Sequence, residues 1–454
     1  MNRILLGMVL LTIISLQRLK AQTELSLSDA IRIGLERNYE IQIEKKNVGI
    51  SENNNTQGEA GRFPTINATL GQNNSLNNNV KTATPFQLQG KTISSSIVPG
   101  VSLDWTIFRG FSVNISKTRL DRLQQESEQN AEIVIANTLQ AIILGYFNAV
   151  LEKERSEEFS RQLNLSRDRY DYVRIKTELG TAVSSDLLLE ETNYLTDSTN
   201  FINQALAYRN ALRGLNVLLA EPDIDRNYIL KDSLNFEPID YRYEDLAVRL
   251  SRDNVDLRKQ YIMQSIIKSD LALRRAERYP SLNLQAGYND SRSRVDLSRA
   301  FIPSGESSRP GPSEPLNAIT DTYFANLTLS FTLFNGKKIN RAIKNAVVQE
   351  DIGNLEVGRL RNSLNRDLLA SLDDYNTRRQ IQAISERRYL SAMKNLELTA
   401  EKFRGGTINS FDFRVVQNDQ LAAATQRLLA LYNLIDAHVS IMRLTGGIVE
   451  SYKD

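Results

Sequence analysis

The sequence predicts a mainly α-helical chain with a small membrane β-barrel component, arranged as two tandem copies of one structural unit. Three observations support this prediction: the phrase DWTIFRGF returns as SFTLFNGK, short segments of alternating apolar and polar residues surround both phrases, and a long segment without proline follows each. The spacing is regular, because Gly110 and Gly336 are 226 residues apart, as are Gly180 and Gly406. A repeat of about 220 residues indicates a duplicated structural module rather than a solenoid.

Each half reads as helix, strand, polar loop, strand, long helix, turn and return helix. Segments 112–178 and 337–404 lack proline, and their apolar residues recur at three- and four-residue spacing, which is typical of long helices that pair as coiled coils. Both segments end at glycine, the residue that most readily closes a helix in the left-handed conformation. The motif G-T-x-x-S-x-D follows each of them, so we predict a tight turn and a returning helix of about 40 residues. The predicted tip residues are Gly180, Thr181, Gly405, Gly406 and Thr407.

The return helix of the first half stops at an irregular stretch, AEPDIDRNYILKDSLNFEP, and the sequence then predicts one more helix over residues 243–278. One long helix is therefore matched by two shorter ones, which predicts a tall column with an equatorial segment at mid-height. The predicted organisation is a signal peptide at 1–21, a first structural repeat at 22–242 and a second at 243–454.

The N-terminus has the pattern of an export signal. Arg3 precedes an apolar run of about 13 residues, which is too short to span a bilayer as a helix of about 20 residues. Cleavage is expected after Ala21, although Leu19 is larger than the usual residue at that site, and without cysteine the chain is not a lipoprotein. We find no second apolar run of membrane-helix length in the sequence. The prediction is therefore an exported protein.

The composition argues against an enzyme. There is no cysteine and a single histidine, His438, so thiol catalysis, disulfides and Cys/His zinc sites are excluded. The tripeptide GKT at 90–92 is not a phosphate-binding loop, because Pro85 stands where the first glycine of that motif should be, and we interpret it as part of a loop. The 56 basic residues balance 54 acidic ones, so no basic field indicates nucleic acid. We expect no cofactor and no bound metal.

Four segments, 66–72, 98–108, 282–288 and 323–334, alternate apolar and polar residues. A half-buried sheet of a soluble protein has the same period. A membrane sheet is favoured because the segments approach the roughly 9–11 residues that a tilted membrane strand needs. Four strands cannot close a barrel, so lipid would require other copies of the chain, and three copies would supply twelve strands. Aromatic residues suited to the membrane interface lie near the strand ends: Trp105, Phe108, Tyr288, Tyr323 and Phe334.

The strand–F-x-G–helix junction, the G-T-x-x-S-x-D turn, the duplication and the signal segment together resemble the outer membrane efflux protein family, the TolC-like channel-tunnels. The likeness covers nearly the whole chain after residue 21. It implies a homotrimer, with a twelve-stranded outer-membrane barrel continued by an α-helical periplasmic tunnel. It further implies an exit duct of a tripartite efflux or type I secretion system, which passes substrates from an inner-membrane pump through a periplasmic adaptor. In that fold Pro64, Gly110, Pro280 and Gly336 mark the barrel-to-tunnel junctions.

Two aspartates of the hairpin tips are the candidate site residues. The sequence predicts Ser184 and Ser410 as helix N-caps, which places Asp186 and Asp412 in the first turn of each return helix. A carboxylate is stabilised there by the helix dipole, and this structural role could be sufficient. The resemblance implies a second role, because acidic residues at matching positions of the family line the periplasmic entrance.

The resemblance also implies a tyrosine and an arginine that help to hold that entrance closed. Phe403 and Ile408 stand at the corresponding positions here, and Val415 stands where a second acid can occur. An ionic lock of the family type is therefore in doubt, and Arg404 is the candidate partner in its place.

Two other classes of protein remain as alternatives. A periplasmic adaptor also carries a long hairpin, but it should show one hairpin inserted into β-rich halves. A trimeric coiled-coil surface adhesin should lack the tandem duplication and end in a strand anchor, whereas this sequence ends in a predicted helix and SYKD.

Overall fold

The computed structural model describes residues 24–79, 89–304 and 307–450, and the predicted signal segment lies outside them. The chain forms two compact units. The first, here called the helical unit, contains the described residues up to Gly49, then Ser127–Tyr261 and the described residues from Glu356 onwards. The second, the strand unit, contains Ile50–Glu126 and Ile262–Leu355. Each compact unit thus takes segments from both predicted repeats.

The two helical hairpins confirm the predicted duplication. The long helices α3 and α7 have 67 residues each, and the return helices α4 and α8 have 35 residues each. A helix of 67 residues is about 100 Å long. The helices are α1 Leu27–Arg37, α2 Tyr39–Asn54, α3 Ser112–Glu178, α4 Ser184–Leu218, α5 Tyr243–Asp253, α6 Val255–Ala276, α7 Lys338–Arg404, α8 Ser410–Leu444 and α9 Gly447–Glu450.

The single helix predicted over residues 243–278 is wrong in its continuity. The helix breaks between α5 and α6 at Asn254, whose backbone is extended with φ −64° and ψ 120°. The same break separates α1 from α2 at Asn38 in the first half, where φ is −55° and ψ is 130°. An asparagine side chain competes with the backbone for hydrogen bonds, which is why it can end one helix and begin the next.

The segment between α4 and α5 is irregular, as predicted, but it contains one short strand. This strand, β4 Ile229–Leu230, pairs in parallel with β1 Glu24–Leu25. Beside the pair, the Tyr146 hydroxyl lies 2.7 Å from Asp232 Oδ2 and 2.9 Å from the Leu25 carbonyl oxygen. Burial of the phenol raises the pKa of Tyr146, and the nearby Asp232 carboxylate acts in the same direction. The hydrogen bonds of the Tyr146 hydroxyl therefore connect the chain before α1 to helix α3.

The interior of the helical unit corrects a second prediction. Residues 133–151 of α3 carry no charged side chain, and α3 is long and apolar enough to cross a membrane by length and composition alone. The sequence therefore does contain a second apolar run of membrane-helix length, contrary to the prediction. Its apolar side chains instead pack in the core, which explains their composition: Ala136, Leu139, Ile142, Ile143, Tyr146, Ala149 and Val150 are all buried in one cluster with residues of α4 and α8.

The strand unit holds an antiparallel sheet in which β2, β3, β5 and β8 are neighbours in that order. Strands β2, β3 and β5 extend further than predicted, because pairing continues into segments whose composition is typical of loops. Strand β8 begins earlier than predicted but ends at Ser330 rather than at residue 334. The GKT tripeptide, interpreted above as loop, lies within β3, and part of the second polar connection forms the hairpin of β6 and β7. The strands are β2 Thr65–Asn79, β3 Gln89–Arg109, β5 Ser281–Asp296, β6 Ala300–Ser304, β7 Ser307–Pro310 and β8 Leu316–Ser330.

Candidate functional site

The two hairpin tips have the same backbone geometry. Gly180 and Gly406 are left-handed, with φ of 74° and 72°, whereas Gly405 is still bonded as part of the last helical turn. The backbone N–H of Thr181 and its hydroxyl both donate to the carbonyl five residues earlier, at 2.8 and 3.0 Å. Thr407 makes the same pair of bonds, at 3.0 and 3.0 Å. The Gly-Thr pair therefore closes each long helix by satisfying a terminal carbonyl.

The return helices begin differently from the prediction. Ser184 and Ser410 are the first residues of α4 and α8 rather than their N-caps. The N-cap of α4 is Val183, which offers no side-chain hydrogen bond. The N-cap of α8 is Asn409, whose Oδ1 accepts the N–H of Asp412 at 2.8 Å. The predicted caps were wrong by one residue because the extended backbone that defines an N-cap begins earlier in both turns.

The candidate site residues lie where the sequence placed them along the chain. Asp186 and Asp412 are in the first turns of α4 and α8, and Arg404 is the last residue of α7. All three side chains are exposed. Among the described residues none of the three has an ion-pair partner, so Arg404 does not bond either carboxylate within one protomer. Their charges remain available at the surface of the hairpin tips.

The sequence reading missed a set of buried charges just behind these tips. Arg169 of α3 is 6% exposed and bonds Glu190 of α4, which is 0% exposed. The same guanidinium donates from Nη1 to Gln417 Oε1 at 3.0 Å and from Nη2 to the Ser410 carbonyl at 3.2 Å. Burial lowers the pKa of Arg169, and the Glu190 carboxylate opposes this effect. One arginine thus connects the first hairpin to the start of α8.

A second buried pair lies beside the first. Arg414 of α8 binds Asp197 of α4 through both guanidinium nitrogens, at 2.5 and 2.8 Å. Ser166 of α3 donates its hydroxyl to Asp197 and accepts from Arg414 at 3.2 Å and from Gln417 at 3.1 Å. The two pairs therefore form one structure across three helices. We call it the inter-hairpin network, and its members are Ser166, Arg169, Glu190, Asp197, Arg414 and Gln417.

Two aromatic rings lie against the Arg169 guanidinium of this network. The guanidinium carbon of Arg169 lies 4.5 Å from the ring centroid of Phe413 and 5.1 Å from that of Phe403. A cation over an aromatic face is favourable, and more so when both groups are shielded from water. Phe403, which replaces the tyrosine expected from the resemblance, therefore contacts a buried arginine instead of an exposed acid.

The strand-to-helix junctions are also duplicated. Gly110 and the following Phe111 are both left-handed, with φ of 53° and 64°, and Gly336 and Lys337 repeat this with 65° and 62°. Two consecutive left-handed residues turn the chain sharply before α3 and α7 begin. The predicted prolines lie where the chain enters the sheet: Pro64 immediately precedes β2, and Pro280 immediately precedes β5. The structure therefore places all four predicted junction residues where strands meet helical segments.

The predicted interface aromatics fall into two groups along the sheet. Tyr288 and Tyr323 are directly opposite each other, with ring centroids 4.7 Å apart. Nearer the helices are Trp105, whose indole N–H donates to the Arg62 carbonyl at 3.0 Å, then Phe108, and then Phe334 beyond the end of β8. Phe108 pairs with Leu282 of β5, and Leu282 and Tyr288 are six positions apart, which corresponds to about 20 Å along the strand. This band approaches the height of about 25 Å that is typical of a membrane barrel.

Comparisons with known proteins agree with this geometry. Residues 248–447 match the family model of the outer membrane efflux protein. A search of curated proteins found no match. The fold is similar to that of the Campylobacter jejuni CmeC outer membrane channel, with a TM-score of 0.74 and 14% identity over 93% of this chain and 85% of that one.

Two further solved structures are similar over comparable lengths. A membrane protein from Pseudomonas aeruginosa gives a TM-score of 0.72 and 14% identity over 92% of this chain and 93% of that one. The open state of the Neisseria gonorrhoeae MtrE outer membrane channel gives 0.68 and 15% over 93% and 89%.

The described chain has the fold of the TolC-like channel-tunnels. The second half of the chain, residues 248–447, matches the outer membrane efflux protein family that the repeated motifs resemble, and the fold shared with solved channels extends over nearly the whole length. The family match and the shared fold together support the interpretation of this chain as an outer-membrane efflux channel.

Proposed function

We propose that three copies of the chain assemble into the exit duct of a tripartite efflux or type I secretion system. The duct is passive, and an inner-membrane pump supplies the energy through a periplasmic adaptor. The barrel lies in the lipid of the outer membrane, the hairpins extend into the periplasm, and residues 1–21 are the export signal. Residues 22–242 and 243–454 are the two copies of the duplicated unit.

The observation that carries this proposal is the open sheet. Among the described residues, β2 pairs only with β3 and β8 pairs only with β5, so both outer strands have a free edge. Unpaired backbone groups are not tolerated in hydrocarbon, so a sheet in lipid must close with other copies. Apolar residues of β8 are strongly exposed in one copy, with Leu327 at 63% and Leu329 at 68%, which suits a face that meets lipid.

The hairpin tips form the periplasmic entrance in this proposal. Asp186 and Asp412 line it, and three copies bring six carboxylates to the narrow end of the tunnel. Arg404, which has no ion-pair partner among the described residues of one protomer, is available to an acidic group of a neighbouring protomer. Two hairpins per protomer support this arrangement over the adaptor alternative, for which one hairpin is expected.

Assembly and location test the proposal directly. The full chain is expressed with its N-terminal segment, extracted in mild detergent and measured by light scattering or native mass spectrometry. We expect the mass of three mature chains, recovered from the outer-membrane fraction. A monomeric mass, or recovery with the soluble periplasmic proteins, would contradict it.

A further inference from the structure

The inter-hairpin network bonds residues that lie close along the chain to both candidate entrance carboxylates. Glu190 is one helical turn after Asp186 on α4, so the bond from Arg169 restrains that turn. On α8, the same arginine binds the Ser410 carbonyl, two residues before Asp412. The second turn of α4 and the first turn of α8 are therefore bonded to a single buried guanidinium.

The geometry points to a positioning role for this network: it fixes Asp186 and Asp412 relative to each other within one protomer. This inference rests on the proposed entrance role of the two aspartates for its functional meaning.

Buried charges resist sliding in a way that apolar contacts do not. Moving α8 by one turn along α3 and α4 would separate Arg414 from Asp197 and Arg169 from the Ser410 carbonyl. A buried charge without its partner is strongly unfavourable, because it has lost water and gained nothing in exchange. The second carboxylate oxygen of Glu190 accepts no hydrogen bond from the described residues. The bond from Arg169 to the first oxygen is therefore the main compensation for the burial of this carboxylate.

The bonding geometry adds direction to this restraint. Asp197 is held by two parallel N–H donors of Arg414, and a bidentate pair is satisfied in one orientation only. Phe403 and Phe413 exclude water around Arg169, which removes the solvent that would otherwise compensate a displaced charge. The network therefore defines both the register and the orientation of the two hairpins.

The test measures the distance between the tips in the full chain. Ser185 and Phe411 are exposed neighbours of the two aspartates, and the chain has no cysteine, so Ser185→Cys with Phe411→Cys accepts two spin labels. Labelled chains are diluted with unlabelled chains before assembly, so that the measured distance lies within one protomer. We expect a single narrow distance in the otherwise unchanged protein.

The informative variant removes both charge pairs together. Arg169→Met, Glu190→Leu, Asp197→Leu and Arg414→Met replace the four charges by apolar groups of similar size, a change that buried ion pairs often tolerate. We expect the single narrow distance to be lost. The double variant Arg169→Met with Glu190→Leu keeps the Arg414 pair and should give an intermediate width, and it serves as the test if the fourfold variant does not fold.

A matched control removes an exposed pair from the same helix. Arg174 and Asp171 are 46% and 41% exposed and 3.0 Å apart, so Arg174→Gln with Asp171→Asn should leave the distance unchanged. A distance that stays narrow in both folded network variants would overturn the positioning role. If it broadens but replacing both aspartates leaves ion selectivity unchanged, the positioning role stands and the proposed entrance role fails.

Discussion

Asn38 and Asn254 occupy equivalent places in the two halves of the chain. The Nδ2 of Asn38 donates to the Leu218 carbonyl at 2.9 Å, and the Nδ2 of Asn254 donates to the Leu444 carbonyl at 2.8 Å. In each case the side-chain oxygen accepts backbone N–H groups at the start of the following helix. Each asparagine therefore caps the second helix of its pair and fastens it to the C-terminal end of a return helix.

Replacing Asn254 by alanine should lower the free energy of unfolding. The substitution removes an N-cap, which costs about 0.5–2 kcal/mol, and it also leaves the partly buried Leu444 carbonyl without this donor. Denaturant unfolding of the detergent-solubilised protein measures the change. Asn38→Ala should have a similar effect, whereas Asn203→Ala, at an exposed position of α4, should be nearly neutral because alanine favours the helix. Equal stability of all three variants would mean that these bonds contribute nothing measurable.

The sequence predicted the features that depend on local signals. Glycine, proline and the G-T-x-x-S-x-D motif act on the backbone within a few residues, and the four glycines that they single out, Gly110, Gly180, Gly336 and Gly406, all have left-handed backbones. The ends of the strands were predicted less well, because they depend on pairing with a distant partner. The polar segment at Gln89 becomes strand since it pairs with β2 and β6, which composition does not reveal.

The inter-hairpin network was missed because its charges stand in segments that are charged throughout. A spacing signal was present. Glu190 and Asp197 are seven residues apart, as residues on one face of a helix are, and Arg414 and Gln417 are three apart. The sequence alone does not indicate whether these polar helix faces contact each other or water. The position of Asp186 and Asp412 in the first helical turn, by contrast, followed from the turn motif alone.

Gly110→Ala should destabilise the protein more than Gly336→Ala. Both glycines are left-handed, and an L-residue in that conformation costs about 1–2 kcal/mol. At Gly110 a Cβ would also lie 2.4 Å from the Ala276 carbonyl oxygen, whereas at Gly336 it would meet open space. Denaturant or thermal unfolding of the two variants gives the comparison. A Gly336→Ala variant that is the less stable of the two would contradict the geometry of the junctions.

His438 should make stability depend on pH in the neutral-to-acid range. Its ring contacts Phe236 and its Nδ1 lies 2.7 Å from the Tyr241 hydroxyl, and burial lowers the pKa of His438 below 6.5. Between that lowered pKa and 6.5 the unfolded chain binds more protons, so the free energy of unfolding falls as the pH falls. One such site gives a slope of at most about 1.4 kcal/mol per pH unit. Denaturation midpoints across this range should show less pH dependence in His438→Gln.

Asp436, two residues before His438, should change the pH dependence of the free energy of unfolding in the opposite direction. Burial raises its pKa above 3.8, with the nearby Asp374 acting in the same direction and Arg378 against it. Between 3.8 and the raised pKa the folded chain binds more protons, so this residue favours the folded state as the pH falls. Asp436→Asn should therefore steepen the acid loss of stability, whereas His438→Gln reduces it. The same slope in both variants would rule out this assignment.

The two faces of the sheet should differ in their access to water. Ser102 and Thr328 lie on one face, and Leu103 and Leu329 lie on the other, as the strand register shows. Each is replaced by cysteine in turn and treated with a small thiol reagent that does not cross membranes. We expect Ser102→Cys and Thr328→Cys to react through the water-filled lumen, and Leu103→Cys and Leu329→Cys to be shielded by lipid. Equal labelling of the four variants would show that the sheet does not separate lipid from water.

Asp186→Asn combined with Asp412→Asn should reduce the cation selectivity of the channel. Six carboxylates in a constricted pore form a ring that attracts cations, so their removal should also weaken block by multivalent cations in planar-bilayer recordings. If the aspartates serve only as first-turn partners of the helix dipole, their loss costs about 0.3–1 kcal/mol each and leaves conduction alone. Asp412 should have the larger effect, because it follows the GGT turn that most resembles the family's inner hairpin.

The control for this experiment is an aspartate elsewhere on the same hairpin. Asp171→Asn removes an exposed carboxylate from α3 that pairs with Arg174 at 3.0 Å, and it should leave the selectivity unchanged. Trimer mass is measured for every variant, so that a change in conduction is not confused with a failure of assembly. Unchanged selectivity of the double variant in an intact assembly would assign Asp186 and Asp412 a purely structural role, since a ring that lines the narrowest part of a pore cannot lose all its charge without altering which ions pass.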